Sequence, residues 1–394
     1  MMKHVDESQQ RRQAVTRYLT GEKVTAITRS LEKSRKWFYE WFKRYEADPY
    51  GDWWVEQSRA PINRAKKTNS ELIGQILQIR RELMNEKMAQ TGAISVLYEL
   101  QRRGVVPLPA IWTINRVIAQ AGLNKKSSQV SGDKPYPDLF WHTHQLDLVG
   151  PRHIKGDGSF YNISIIDVTT RTCFVKAVRT KESAEIVEAL AEFWQLHGMP
   201  DALQLDNELA FRGSNQYPRS FGAVIRFALS QGVAPVFIPM GEPWRNGIIE
   251  KFNDTYQKKF LRAYTFTSLE HLQEQEGTFR DFHNANHRYS SQLHRTPNEM
   301  VAQMLPAARY SGNAHLRNRK GKVCIPLITG CIYYIRYIRS DLILRINNET
   351  FKVDSKLKYY YVIAEVNIDL QCINIRLARE VVQTIPFWMP AVEW

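Results

Sequence analysis

The sequence predicts a multidomain chain with helical units in front, an α/β layer in the middle and a small β-barrel at the end. Three observations predict it. Apolar residues recur at three- and four-residue spacing through the first 120 or so positions. From about residue 140 to 262, strand-like and helix-like segments alternate. Beyond Lys320, five short strand-like runs follow within about 75 residues.

The length of 394 residues is too great for one typical domain. A hydrophobic content of 43% with 11% aromatics is enough to fill cores and excludes global disorder. The formal charge of +14 calls for a polyanionic partner, nucleic acid first. The longest uncharged apolar-rich run, Val323 to Ile335, is interrupted by Thr329 and Gly330 and is too short to span a membrane. Met1 to Glu7 carries no apolar signal core. Cys173, Cys324, Cys331 and Cys372 are scattered with no C-x-x-C pair, so neither a disulfide framework nor a Cys-rich zinc site is indicated. A reducing cytoplasm fits.

Helices are expected over Arg11–Leu19, Val24–Leu31 and Arg35–Glu46, with Ser34 capping the third. Trp37, Phe38, Trp41, Phe42 and Tyr45 form the third helix's apolar stripe, leaving Arg35, Lys36, Tyr39, Lys43 and Arg44 exposed. Three short helices with a basic third one predict a helix-turn-helix domain over 1–56. A basic linker, 57–69, carries Arg59 and Arg64. Residues 70–123 predict a second helix-turn-helix domain, with Thr113, Asn115 and Arg116 facing outward from its last helix. Residues 124–138 are a linker, 139–305 the α/β core, 306–320 a further linker and 321–394 the small barrel. Strands are expected at Phe140–Val149, Tyr161–Val168, Cys173–Val178, Ala202–Leu205 and Val233–Ile238. Core helices are expected at Glu182–His197, Arg219–Gln231 and Asn246–Arg262. The tail strands are Val323–Ile328, Ile332–Ile338, Leu342–Asn347, Tyr359–Glu365 and Cys372–Leu377. Their tyrosines (Tyr333, Tyr334, Tyr337, Tyr359, Tyr360 and Tyr361) read as barrel core, with Arg336, Arg339 and Arg345 available for phosphates.

Two strands end on the same tripeptide, Gln145-Leu146-Asp147 and Gln204-Leu205-Asp206. Alternate strand residues face opposite ways, so each leucine points to one layer and each aspartate to the other. If the two strands are parallel neighbours, the carboxylates meet near the carboxyl ends, where ligands of α/β sheets bind. On the last core helix, Ile249, Phe252, Tyr256 and Phe260 make the apolar stripe and Glu250 sits at its border, able to lean toward both aspartates. Three converging carboxylates repel unless a cation compensates. All-oxygen donors without cysteine select Mg²⁺ or Mn²⁺, and two such ions roughly 4 Å apart promote phosphoryl transfer. The competing reading is a strand end, an Asx turn and a solvated helix face.

The block around Asp147, the run Asp206-Asn207-Glu208 with Phe211, and Pro239…Asn246-Gly247-Ile248-Ile249-Glu250-Lys251-Phe252-Asn253 resemble the catalytic motifs of retroviral-integrase-type DDE enzymes. The likeness is greatest to bacterial insertion-sequence transposases, and it extends over nearly the whole chain. The resemblance implies a ribonuclease H-like core, a mixed sheet flanked by helices. It also implies Asp147, Asp206 and Glu250 as catalytic and metal-holding residues, with two Mg²⁺ or Mn²⁺ ions and no covalent protein–DNA intermediate. The implied partners are element terminal repeats and target DNA, both double-stranded. The implied assembly is a homo-oligomer on paired ends, on the nucleoid of a bacterial cytoplasm.

Two departures stand out. The 44-residue gap from Asp206 to Glu250 exceeds the family's commonest spacing, with the surplus placed at Arg212–Ser220, and Glu208 stands where relatives have glycine. Arg245, Asn246, Lys251 and Lys258 flank the acid helix as DNA contacts. His142 and His144 share the face of Leu146, away from Asp147, and read as structural, so no zinc is expected. The alternatives are a DNA-binding regulator with a silent core and a structure-selective nuclease of ribonuclease H type.

Overall fold

The Ser34 hydroxyl accepts the Trp37 amide at 3.1 Å, which fixes where the third helix starts. Helices α1 (Glu7–Leu19), α2 (Val24–Ser30) and α3 (Arg35–Ala47) pack around Ala14, Ile27 and Phe38. Arg11 is buried beneath them, its guanidinium over the Trp41 ring and donating to the Trp54 carbonyl. Arg35, Lys36, Tyr39 and Lys43 lie exposed on one side of α3. This computed structural model describes residues 7–56, 68–123, 136–137, 140, 142–213, 219–312 and 329–389. The chain divides into two compact units between Thr68 and Asn69. Arg59 and Arg64, most of both predicted linkers around them and at 124–138, the strand Val323–Ile328 and most of the surplus at Arg212–Ser220 lie outside the described residues.

The second unit begins with α4 (Ser70–Asn85), α5 (Ala93–Arg102) and α6 (Ile111–Gln120), which close around Ile76, Ile79, Val96, Leu100, Ile114 and Val117. Asn69 caps α4, its side chain accepting the Glu71 amide at 3.2 Å. This bundle is fastened to the core through the α4–α5 loop. Gln90 accepts the Arg288 amide at 2.7 Å and donates to its carbonyl at 3.0 Å. Lys259 donates to the Ala89 carbonyl and Lys87 to that of Ala263.

The core sheet opens as an antiparallel meander, β1 (Thr143–Ile154), β2 (Gly158–Asp167) and β3 (Cys173–Val178). Helix α7 (Ser183–His197) leads to β4 (Ala202–Leu205), which pairs parallel to β1. The short α8 (Leu209–Arg212) and α9 (Ala223–Ser230) precede β5 (Ala234–Phe237), parallel to β4. Next come α10 (Gly247–Tyr256) with a π turn over Gln257–Leu261, then α11 (Leu269–Asn286) and α12 (Pro297–Val301). One face of the sheet buries Leu146, Ile163, Trp194 and Phe227 against α7 and α9. The other buries Ile166, Val175, Phe252 and Phe279 against α10 and α11. The result is the mixed, helix-flanked sheet expected of the core. Helix α11 has no counterpart in the sequence reading.

The tail departs from expectation. Its strands are β6 (Cys331–Tyr337), β7 (Ile343–Ile346), β8 (Glu349–Lys352), β9 (Tyr361–Asn367), β10 (Cys372–Leu377) and β11 (Glu380–Pro386). Instead of a separate barrel, β6, β9, β10 and β11 extend the core into one nine-stranded sheet, ordered β11-β10-β9-β6-β5-β4-β1-β2-β3. Only β7 and β8 pair apart from it among the described strands. The junction is parallel, Val236 opposite Tyr333 and Phe237 opposite Tyr334. β6 covers the edge that the short β5 would otherwise leave unpaired, and the Tyr334 ring stacks on Phe237. Tyr359 and Tyr360 are exposed instead of filling a core. Arg336 is only 5% exposed and is not available to phosphates. Arg345 is exposed, as expected, and paired with Asp341.

Candidate active site

The two Gln-Leu-Asp tripeptides lie side by side. Gln145 pairs in parallel register with Gln204, so two residues further on Asp147, within β1, comes level with Asp206 just past the end of β4. Leu146 and Leu205 point into the α7/α9 core, leaving the glutamines and aspartates on the α10 side. The glutamines set the start of α10. Gln145 Oε1 accepts the Ile249 amide at 3.0 Å, one of the helix-start amides without a partner inside the helix. Gln204 Nε2 donates to the Arg245 carbonyl at 3.0 Å and to Asn246 Oδ1 at 2.7 Å. One turn along, Asn253 Nδ2 donates to Asp147 Oδ2 at 2.7 Å. Glu250 lies three residues before Asn253 on the same side of the helix and is exposed. The acid helix is therefore tied to both aspartate-bearing strands.

The charges respond to this crowding. Burial, then the charges of Asp206, Glu250 and Glu208, push the Asp147 carboxyl up to about 6, against a smaller opposing effect from the Leu148 amide. Asp206 is raised by burial and by Glu208, while the Glu208 amide donates to its Oδ1 at 2.9 Å and favours the ionised form. The Asp147–Asp206 repulsion registers on Asp147, the more deeply buried of the two, where a shared proton would reside. The backbone amide of residue 208 braces Asp206, as any residue there would, and the Glu208 carboxylate, paired with Lys181 at 3.3 Å, adds negative field at Asp147.

All of these donors are carboxylate oxygens, the set that hard divalent cations prefer. The proton affinity forced on Asp147 is what a bound cation would relieve. Asn253 Oδ1, beside Asp147, is buried without a hydrogen-bond partner. The residues therefore fit a divalent cation.

Among the described residues, one group of three His, Cys or acidic side chains brings its ligand atoms within 4.8 Å of one another, namely His142, His144 and Asp167. Trp194 Nε1 donates to His144 Nδ1 at 3.2 Å. The neutral ring must then carry its proton on Nε2, the atom that faces Asp167 Oδ2 at 3.8 Å. Burial holds His144 near 3, in its neutral form. A ligating histidine donates from its second nitrogen, and here that nitrogen accepts, so the group does not suit a metal. His142 bonds Asp167 at 3.1 Å, and Asp167 Oδ1 accepts the Thr169 and Thr170 amides. This is a structural network, on the face read from the sequence.

Two residues expected to meet DNA sit in the scaffold instead. The Arg245 side chain is largely buried, paired with Glu242 at 3.1 Å and lying over the Tyr136 and Tyr361 rings. Asn246 is buried against Gln204. Lys251 and Lys258 are exposed, both within ion-pair distance of Asp254. Thr113 is half-buried, and Arg116 is exposed beside the Trp112 ring. Sequence reasoning missed Gln145, Gln204 and Asn253. The signal for the first two was the repeated tripeptide, since residues i and i+2 of a strand share a face.

In sheet order β5-β4-β1-β2-β3, with Asp147 and Asp206 on the α10 side, the core is a mixed sheet flanked by helices. Residues 231–297 match the integrase core domain family. The chain is 28% identical over 134 residues to the insertion element IS407 uncharacterized 31.7 kDa protein of Burkholderia multivorans, covering 32% of this chain and 46% of that one. It is 24% identical over 124 residues to uncharacterized protein K02A2.6 of Caenorhabditis elegans, covering 32% of this chain and 9% of that one. The chain thus spans less than half the length of these curated relatives. Among solved structures, the HTLV-2 integrase catalytic core domain in complex with magnesium aligns with a TM-score of 0.31 at 17% identity, over 41% of this chain and 97% of that one. The simian T-cell lymphotropic virus intasome in complex with PP2A regulatory subunit B56 gamma aligns at 0.35 and 14%, over 74% and 93%. The chain is thus similar to the integrase core domain over residues 231–297 and to an insertion-element protein over 32% of its length.

Proposed function

We propose that this chain is a DDE transposase that binds the terminal repeats of a mobile DNA element, cleaves the ends and joins the 3′-hydroxyls to target DNA. What supports the reading is the parallel register of the strands bearing Asp147 and Asp206, tied to the helix that bears Glu250, with the Asp147 carboxyl raised by burial and by its neighbours' charge. Asp147, Asp206 and Glu250 would hold Mg²⁺ or Mn²⁺, two ions in all, which supply charge stabilisation to the attacking and leaving oxygens of an in-line displacement. Gln145 and Gln204 tie the start of the helix bearing Glu250 to the two aspartate strands, and Asn253 holds Asp147. No side-chain nucleophile is required.

For DNA binding, the exposed face of α3 (Arg35, Lys36, Tyr39, Lys43) and the start of α6 (Thr113, Arg116) serve as helix-turn-helix reading surfaces. Arg59 and Arg64 between them track phosphates, and Lys251 and Lys258 grip the ends beside the acid helix. The chain works as a homo-oligomer on paired ends, on the nucleoid. Among the described residues no helix is long and apolar enough to cross a membrane.

The test is cleavage and strand transfer on duplexes carrying the repeats that flank the gene, with Mg²⁺ or Mn²⁺. Wild type yields nicked and joined products, whereas Asp206→Asn and Glu250→Gln bind the same duplex and yield none. Binding without reaction in the wild type would favour a silent regulator. Preferential cutting of RNA–DNA hybrid would favour the nuclease.

A further inference from the structure

The guanidinium of Arg336 on β6 is almost fully buried, yet among the described residues no carboxylate pairs with it. Its donors go to neutral acceptors. Nε meets the Arg345 carbonyl at 2.9 Å, and Nη1 meets the carbonyls of Ile335 and Ile238 at 2.8 Å and of Phe237 at 3.4 Å. Nη2 meets Asn207 Oδ1 at 2.7 Å. Burying a cation without an anion is expensive even when its protons are satisfied. A methionine or leucine would fill the same volume without that penalty.

The contacts explain where the charge acts. Asn207 follows Asp206 directly and is held at three points. Arg336 takes its Oδ1, its Nδ2 donates to the Ile238 carbonyl at 2.7 Å, and Arg212 Nε takes its backbone carbonyl at 3.1 Å. The Asp206 carboxylate in turn accepts the Glu208 amide. The turn that presents the second acid is thus clamped to the end of β5, and the central clamp comes from a strand beyond the three acids in sequence.

We propose that Arg336 is a positioning residue for the acid site: through Asn207 it fixes the turn carrying Asp206, so the tail strands complete the catalytic centre. The inference rests on the acid triad being a divalent-cation site.

The test measures Mn²⁺ affinity of the full chain by titration calorimetry, together with the melting temperature without metal. Arg336→Lys and Asn207→Ala each weaken Mn²⁺ binding about tenfold, the usual scale for a partner behind the ligands. The double variant is no weaker than the poorer single, because both break one linkage. A purely structural Arg336 would lower the metal-free melting temperature and leave the Mn²⁺ constant of the folded chain unchanged. That result, or additive losses in the double variant, overturns the proposal. Should Arg336→Lys fail to fold, Asn207→Ala decides alone: weakened Mn²⁺ binding supports the linkage and an unchanged constant refutes it. Asp206→Asn separates the two claims. If it binds Mn²⁺ as wild type does, the acid site itself is wrong and this inference falls with it. If it loses binding while Asn207→Ala keeps it, only the positioning role is wrong.

Discussion

Without a bound cation, Asp147 is a source of instability, and Asp147→Asn should relieve it. Its carboxyl is shifted from 3.8 to about 6, mainly by burial and by the charges of Asp206, Glu250 and Glu208. The folded state therefore holds more protons than the unfolded state between those two values. Stability falls as pH rises through that window, and the deficit is complete above about 6. At about 1.4 kcal/mol per unit the shift corresponds to about 3 kcal/mol as an upper bound. Asparagine carries no charge and can keep both contacts. Its oxygen can accept the Leu148 amide, while its amide group donates to the unpartnered Asn253 Oδ1 after that side chain flips.

The assay is thermal unfolding of the full chain in chelator at pH 8 and pH 5. At pH 8 the variant should melt up to about 4 °C above wild type, at roughly 1.5 °C per kcal/mol for a unit running from Asn69 to Trp394. At pH 5 the advantage should shrink. Taking the difference from wild type removes Glu276, which also titrates near 7. Saturating Mn²⁺ should reverse the order, since only wild type gains from binding. A variant no more stable than wild type at pH 8, or an advantage independent of pH, would refute the electrostatic account of the site.

Other outcomes follow from the same contacts. Gln204→Leu removes both donors to the start of α10 and should abolish strand transfer while costing about 1–2 kcal/mol of stability, read by chemical denaturation. Glu276 is buried, accepts the Tyr256 hydroxyl, the Asn162 amide and the Ala177 backbone amide, and is pushed up to about 7 by burial. Because its folded value is raised, stability should decline as pH climbs from about 4.5 to 7, and Glu276→Gln should flatten that slope in pH-dependent unfolding. Replacing Arg35, Lys36 and Lys43 together by alanine should weaken duplex binding and lower its salt dependence by roughly three phosphate contacts, measured by anisotropy across ionic strengths.

The legible part of this molecule is the part whose signal is local. Ser34 announces the start of α3, and the alternation in Gln145-Leu146-Asp147 tells which way the carboxylate faces. The condition that the two tripeptide strands lie as parallel neighbours is met by the register of Gln145 with Gln204. Strands β3 and β4 have the bounds read from their apolar runs. Helix α11 escaped notice because its buried positions include Glu276, His283 and Asn284, polar residues whose partners come from distant strands. The tail was misassigned for a related reason. Its strands were visible, but pairing between β5 and β6 joins residues nearly a hundred positions apart and leaves no local trace. Arg336 and Arg245 read as surface cations because composition cannot tell a solvated arginine from one spent on carbonyls or packed on tyrosines.

The most direct measurement is anomalous scattering from crystals of the chain grown with Mn²⁺. The account predicts anomalous peaks at the cluster of Asp147, Asp206 and Glu250. A strong peak between His142, His144 and Asp167, with nothing at the three acids, would contradict it.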